Sequence, residues 1–149
     1  MTITEPEGTP ISIGVLMLIP YRHMEQRVLA AVVAGGHPIT LAQARIFQRL
    51  DAGGSRLTQL ARASQVTKQA AGFLVDELER AGYLERVPDP RDGRARLIRI
   101  TPAGREVVAV ALVEQKRIEA EWERHLGPRR SAELRRSLES LREITDPWV

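Results

Sequence analysis

The 149-residue chain has no cysteine, which excludes disulfides, zinc–thiolate sites and thiol-based redox sensing. Aromatic residues are scarce at 4%, so a core drawn from the 43% of apolar residues must be built from Leu, Val, Ile and Ala. Lysine is nearly missing: of 22 basic residues, all but Lys68 and Lys116 are arginines. Arginine is the better bidentate donor to phosphate and guanine, although a GC-rich coding sequence produces the same bias. No long apolar run is present, and residues 15–19 are far too few to span a bilayer. No basic-then-apolar leader opens the chain, so a cytoplasmic protein is expected, with no membrane partner. The length suits a single domain. A net charge of +3 permits a polyanionic partner without requiring one.

Catalytic signatures are also missing. There is no Gly-rich phosphate loop and no nucleophile elbow. Asp76 and Glu79 stand three apart with no partner base. His23, His37 and His125 are scattered and lack the i, i+4 spacing of a helical metal site. The chain therefore reads as no enzyme, with no cofactor and no metal.

What is present is a sequence of well-punctuated elements. Residues 1–10 read as a flexible arm. Residues 11–34 have a helical pattern that stops at Gly35-Gly36, with Pro20 predicting a kink or break near Ile19. A second helix is expected over about 41–52, up to Gly53-Gly54. Thr58 and Thr67 are candidate caps for two further helices joined by Ser64-Gln65-Val66. The second of these runs to Gly82, with Ala71, Leu74, Val75, Leu78 and Ala81 as its buried stripe. Residues 83–87 and 96–100 look like strands, with Asp92-Gly93 as the hairpin signal. Thr101-Pro102 opens a long helix, Gly127-Pro128 breaks it, and a last helix carries Leu134, Leu138, Leu141 and Ile144 along a seam.

Two capped helices around a tight link form a helix-turn-helix, whose second helix can enter a major groove with its N-terminal side chains at base edges. The face opposite the stripe presents Lys68, Gln69, Gly72, Phe73 and Asp76. Gln pairs bidentately with adenine, and Lys reaches guanine or phosphate. Phe73 is a misfit for solvent there; it either touches a thymine methyl or packs on a neighbouring helix. The hairpin adds Arg86, Arg91, Arg94, Arg96 and Arg99, a set suited to phosphate or minor-groove contact. Asp92 is expected to hold the Arg94 guanidinium.

Four segments, Val66–Ala71, Leu78–Leu84, Asp89–Arg94 and Ile100–Gly104, closely resemble the MarR (multiple antibiotic resistance regulator) family. The resemblance implies a mainly α fold with a small β-hairpin wing: a winged helix-turn-helix over about 41–101, flanked by dimerisation helices at about 11–34 and 102–149. It also implies a homodimer on a pseudo-palindromic DNA operator, usually a repressor released by a small-molecule effector. Carried over residue by residue, the DNA-binding positions are Thr67, Lys68, Gln69, Gly72, Phe73, Arg91, Asp92, Arg94 and Arg96, with Arg94 in the minor groove. The family often has Ser or Thr where this chain has Gly72, and Arg where it has Phe73. Tyr21, Met24 and Phe47 are the candidate effector-binding residues, set against an ordinary core or interface role. The competing readings are a winged-helix protein-interaction module and a low-specificity DNA-binding protein.

Overall fold

A computed structural model describes residues 8–146, so most of the arm expected at 1–10 lies outside the described residues, as do residues 147–149 of the last segment. The described elements run α1 (Ile13–Ala34), α2 (Leu41–Phe47), α3 (Leu57–Ala63), α4 (Lys68–Arg80), β1 (Leu84–Asp89), β2 (Asp92–Ile100), α5 (Pro102–Leu126) and α6 (Pro128–Thr145). The fold is mainly helical, with one antiparallel hairpin. No helix among the described residues is long and apolar enough to cross a membrane.

The core draws one to three apolar side chains from each element of the winged helix. Ile46, Leu60, Val75, Leu78, Leu84 and Ile98 are at most 2% exposed. Each such burial contributes about 1.5–3 kcal/mol over exposure. Val32 of α1 and Val107 of α5 join the same cluster, so the long helices are seated on the winged helix.

Local chemistry sets most boundaries. Thr67 Oγ1 accepts the Ala70 N–H at 3.1 Å and starts α4 where the sequence places it. At the other end the Tyr83 N–H reaches the Leu78 carbonyl and the Gly82 N–H reaches Glu79. This is a Schellman closure, which needs the φ of +84° that Gly82 adopts. Ala81 falls outside the stripe and is exposed.

Four expectations are corrected. α1 begins at Ile13, capped by Ser12, and continues unbroken through Pro20. The break is therefore not made: proline's fixed φ is itself helical, and its missing N–H and the crowding of its ring on the preceding turn bend a helix without ending it. α2 stops at Phe47, not near 52, because the Arg49 and Leu50 N–H groups turn back to the carbonyls of Ile46 and Phe47. Thr58 does not cap α3; Arg56 is the N-cap residue. Its side chain offers no acceptor, and its own N–H donates to Gln59 Oε1 at 3.3 Å. The hairpin turns at Pro90-Arg91, not at Asp92-Gly93, since Asp89 pairs with Asp92.

Candidate nucleic-acid interface

α4 shows two sharply different sides. Ala71, Val75 and Leu78 are fully buried, whereas Phe73 is 60% exposed. Thr67, Lys68 and Gln69 are exposed at the N-terminal end of the same helix. Gly72 is half-buried at the edge of that face, where an added Cβ would meet Leu57 Cδ2 at an ordinary 3.6 Å. Asp76 is taken by Arg86, whose Nη2 lies 2.8 Å from its carboxylate. Arg86 also reaches Glu79 at 3.1 Å, so this wing arginine braces the hairpin against α4.

The wing is irregular where its arginines are. Pro88 pairs with Arg96, but Asp89 pairs with Asp92, so Gly93, Arg94 and Ala95 have no counterpart on β1. Such a bulge re-aims side chains out of the ladder. Arg91, Arg94 and Arg96 are exposed. No carboxylate among the described residues forms an ion pair with any of them. The expected grip of Asp92 on the Arg94 guanidinium is not made. Asp92 Oδ1 instead accepts the Arg94 backbone N–H at 3.1 Å, because a carboxylate two residues upstream closes an Asx-type turn more readily than it reaches a long side chain. Asp92 thus shapes the bulge and leaves the Arg94 side chain free to reach outward.

Residues 37–95, spanning α2 to the wing bulge, match the model of the MarR family. Over that stretch the chain is similar to the MarR family. It is similar to the transcriptional activatory protein BadR of Rhodopseudomonas palustris, 35% identical over 95 residues, which are 64% of this chain and 53% of BadR. The match thus spans about half the length of that curated relative. The transcriptional regulator Tm0710 of Thermotoga maritima is 28% identical with a TM-score of 0.60, over 90% of this chain and 93% of that one. A crystal structure of MarR superposes with a TM-score of 0.76 at 20% identity, over 96% and 97% of the two chains, and shares the fold.

Within this MarR-like fold, a cavity of about 420 Å³ opens between α1, α2 and α5. Tyr21, Met24 and Phe47, singled out from the sequence as candidate effector contacts, all line it. Phe47 also meets the Tyr83 ring edge-on, with centroids 6.4 Å apart. The sequence reading missed the polar cluster at one wall. Glu25 is buried, and its carboxylate accepts from Arg45 Nε at 2.9 Å, Arg45 Nη2 at 3.0 Å and the Tyr21 hydroxyl at 2.9 Å. The Arg45 bonds hold the Glu25 carboxyl below its ordinary pKa, and burial pushes the Tyr21 phenol up. An Arg at 45 and a Glu at 25 are too common on helix surfaces for sequence alone to pair them.

Proposed function

We propose that this chain is a MarR-type regulator, a sequence-specific DNA-binding transcription regulator that acts as a homodimer on a pseudo-palindromic operator. α4 is its major-groove element, with Thr67, Lys68, Gln69 and Phe73 at the base edges and Gly72 beside them. The wing is its second contact, through Arg91, Asp92, Arg94 and Arg96. The observation that carries this reading is the pairing of two unsatisfied surfaces in one module: an α4 face bearing an exposed Phe73, and a bulge presenting an unpaired Arg94. The dimer is supported by α6, which buries none of its own residues, and by the exposed apolar first half of α1.

The α1–α2–α5 cavity is the effector site in this proposal, with Tyr21, Met24 and Phe47 as contacts, and the regulator is a ligand-responsive repressor. BadR is named as an activatory protein, so the sign of regulation is tested separately. Footprinting on the DNA upstream of the protein's own gene, with excess unrelated competitor, should protect two half-sites about one helical turn apart. A promoter–reporter fusion should rise when the protein is deleted; a fall makes it an activator. Protection that competitor DNA removes at equal concentration supports a low-specificity binder. The exposure of Phe73 favours one further reading, a protein-interaction module, which loss of a protein partner on Phe73→Ala would support.

A further inference from the structure

The α1–α2–α5 cavity carries chemical information about its occupant. Its volume, about 420 Å³, lies within the range of small-molecule sites, about 300–1,000 Å³. Most of its wall is aliphatic, from residues such as Val28, Leu29, Ile39, Val107 and Ala111. No Lys, Arg or His lines it, and its one charged side chain is Glu25.

That carboxylate is already satisfied. Arg45, with Arg22 at 3.7 Å, supplies its countercharge, and the Tyr21 hydroxyl adds a third donor. A ligand cation would have to compete with a bidentate guanidinium for Glu25. A ligand anion would leave water with no positive partner in the wall and a fixed negative charge beside it. Burying an unpaired charge is too costly for either to be the preferred occupant. What remains for orientation is uncharged: the Tyr21 hydroxyl, the Gln48 amide 3.3 Å from it, and Gln115.

We infer that the effector is an uncharged, largely apolar molecule, oriented by hydrogen bonds to Tyr21, Gln48 or Gln115 and not by an ion pair. This rests on the effector reading proposed above for the same cavity. The polar cluster gives such a ligand a mechanical consequence. Glu25 belongs to α1 and Arg45 to α2, so a molecule that displaces Tyr21 disturbs the link between the long helices and the winged helix.

The test uses three probes with one ring system: 2-naphthol, 2-naphthoate and 2-naphthylmethylamine, titrated calorimetrically into the full-length protein at pH 7. The naphthol should bind at least about tenfold more tightly than either charged probe, equivalent to about 1.4 kcal/mol. Glu25→Gln, which removes the negative wall charge, should narrow the gap between naphthol and naphthoate. Ala111→Phe should abolish naphthol binding while operator binding persists; Ala44→Leu serves the same purpose if that variant does not fold. Naphthoate or amine binding as tightly as naphthol, lost on filling the cavity, overturns the uncharged class and leaves the effector site standing. Absence of binding by all three, or binding indifferent to the filling variants, overturns both.

Discussion

Arg56 holds Asp89 through Nη2 at 2.7 Å and Nε at 2.9 Å, joining the start of α3 to the tip of the wing across 33 positions of sequence. The other oxygen of Asp89 accepts the Arg91 N–H at 2.9 Å. One buried carboxylate therefore closes the Pro90-Arg91 turn and anchors that turn to the helix-turn-helix.

This arrangement has a pH signature. The Arg91 backbone bond, and after it Arg56, holds the Asp89 carboxyl below its ordinary value. A carboxyl depressed in the native state stabilises the fold above its unfolded pKa, near 3.9, and that contribution fades as pH falls through the lower native value. Asp89→Asn should melt at lower temperature than wild type at pH 7, and the gap should narrow as pH falls below about 4. Thermal melts from neutral to acid pH give the comparison. A difference that stays constant over the range means the carboxylate's charge contributes nothing to wing stability.

The parts legible in the sequence are those set by neighbours in the chain. Thr67, the stripe through Leu78 and the Gly82 closure bound α4 by local hydrogen bonds and a 3.6-residue period, and all three match the structure. The errors occur where a distant partner decides. Ser55 exchanges backbone hydrogen bonds with Ile98 and its hydroxyl accepts the Asp51 N–H, drawing the chain away after Phe47 and ending α2 early. Arg56 fixes Asp89, which moves the turn off the Asp-Gly pair. Arg86 is drawn back to Asp76 and Glu79, leaving fewer wing arginines without a carboxylate partner than composition suggests. In the cavity, the three candidate residues were legible as large side chains on two helices, but Glu25 and Arg45 were not, since their pairing depends on how α1 crosses α2.

The Thr-Pro-Ala-Gly start of α5 is a joint as well as a cap. Thr101 Oγ1 accepts the Gly104 N–H at 3.2 Å and donates to the Gly82 carbonyl at 2.6 Å. A Cβ on Gly104 would lie 2.3 Å from the Tyr83 carbonyl oxygen and 2.7 Å from Ile100 Cγ2. Backbone cannot yield as a flexible side chain does, so Gly104→Ala should destabilise by about 1–3 kcal/mol or more, as overpacking does. Urea denaturation measures this; a midpoint unchanged from wild type shows that α5 slides freely on the wing base.

The dimer is testable without disturbing the core. Ile13 and Ile144 are 72% and 79% exposed, so neither contributes much to the fold of one chain. Sedimentation at micromolar concentration should give twice the 16.6 kDa chain mass. The double variant Ile13→Glu/Ile144→Glu should shift toward monomer and keep its helical circular dichroism. A wild-type monomer at that concentration removes both the dimer and the two-half-site operator.

Arg94 separates electrostatic from shape-dependent contact. If its guanidinium neutralises one phosphate, Arg94→Ala weakens all sequences alike and lowers the salt slope by roughly 0.9 per contact. If it enters a narrow minor groove, the loss is about 1–3 kcal/mol and falls mainly on cognate sites. The free reach of the side chain from the bulge favours the second outcome. Operator binding equal to wild type across a salt series would exclude Arg94 from the interface.

Phe73 provides the sharpest test of the proposal that α4 reads DNA. Its ring stands on the side of α4 away from Ala71, Val75 and Leu78, and 60% of the residue is open to solvent. A phenyl group so placed is costly in water and useful against a thymine methyl. Phe73→Ala should therefore relax preference at one base pair in each half-site, by about 1–3 kcal/mol. Folding stability should change by much less than the roughly 3–5 kcal/mol that emptying a core Phe site costs. The measurements are binding to single-base operator variants and a denaturant melt of the same protein. Because a dimer presents α4 twice, both half-sites should lose the same preference, at positions about 10 base pairs apart. A variant that keeps every base preference while unfolding several kcal/mol more easily would place Phe73 in the core and put the outer face of α4 elsewhere. A variant that keeps both preference and stability would leave the ring without a role in DNA reading, and Lys68 and Gln69 would then be the base-contacting side chains to test.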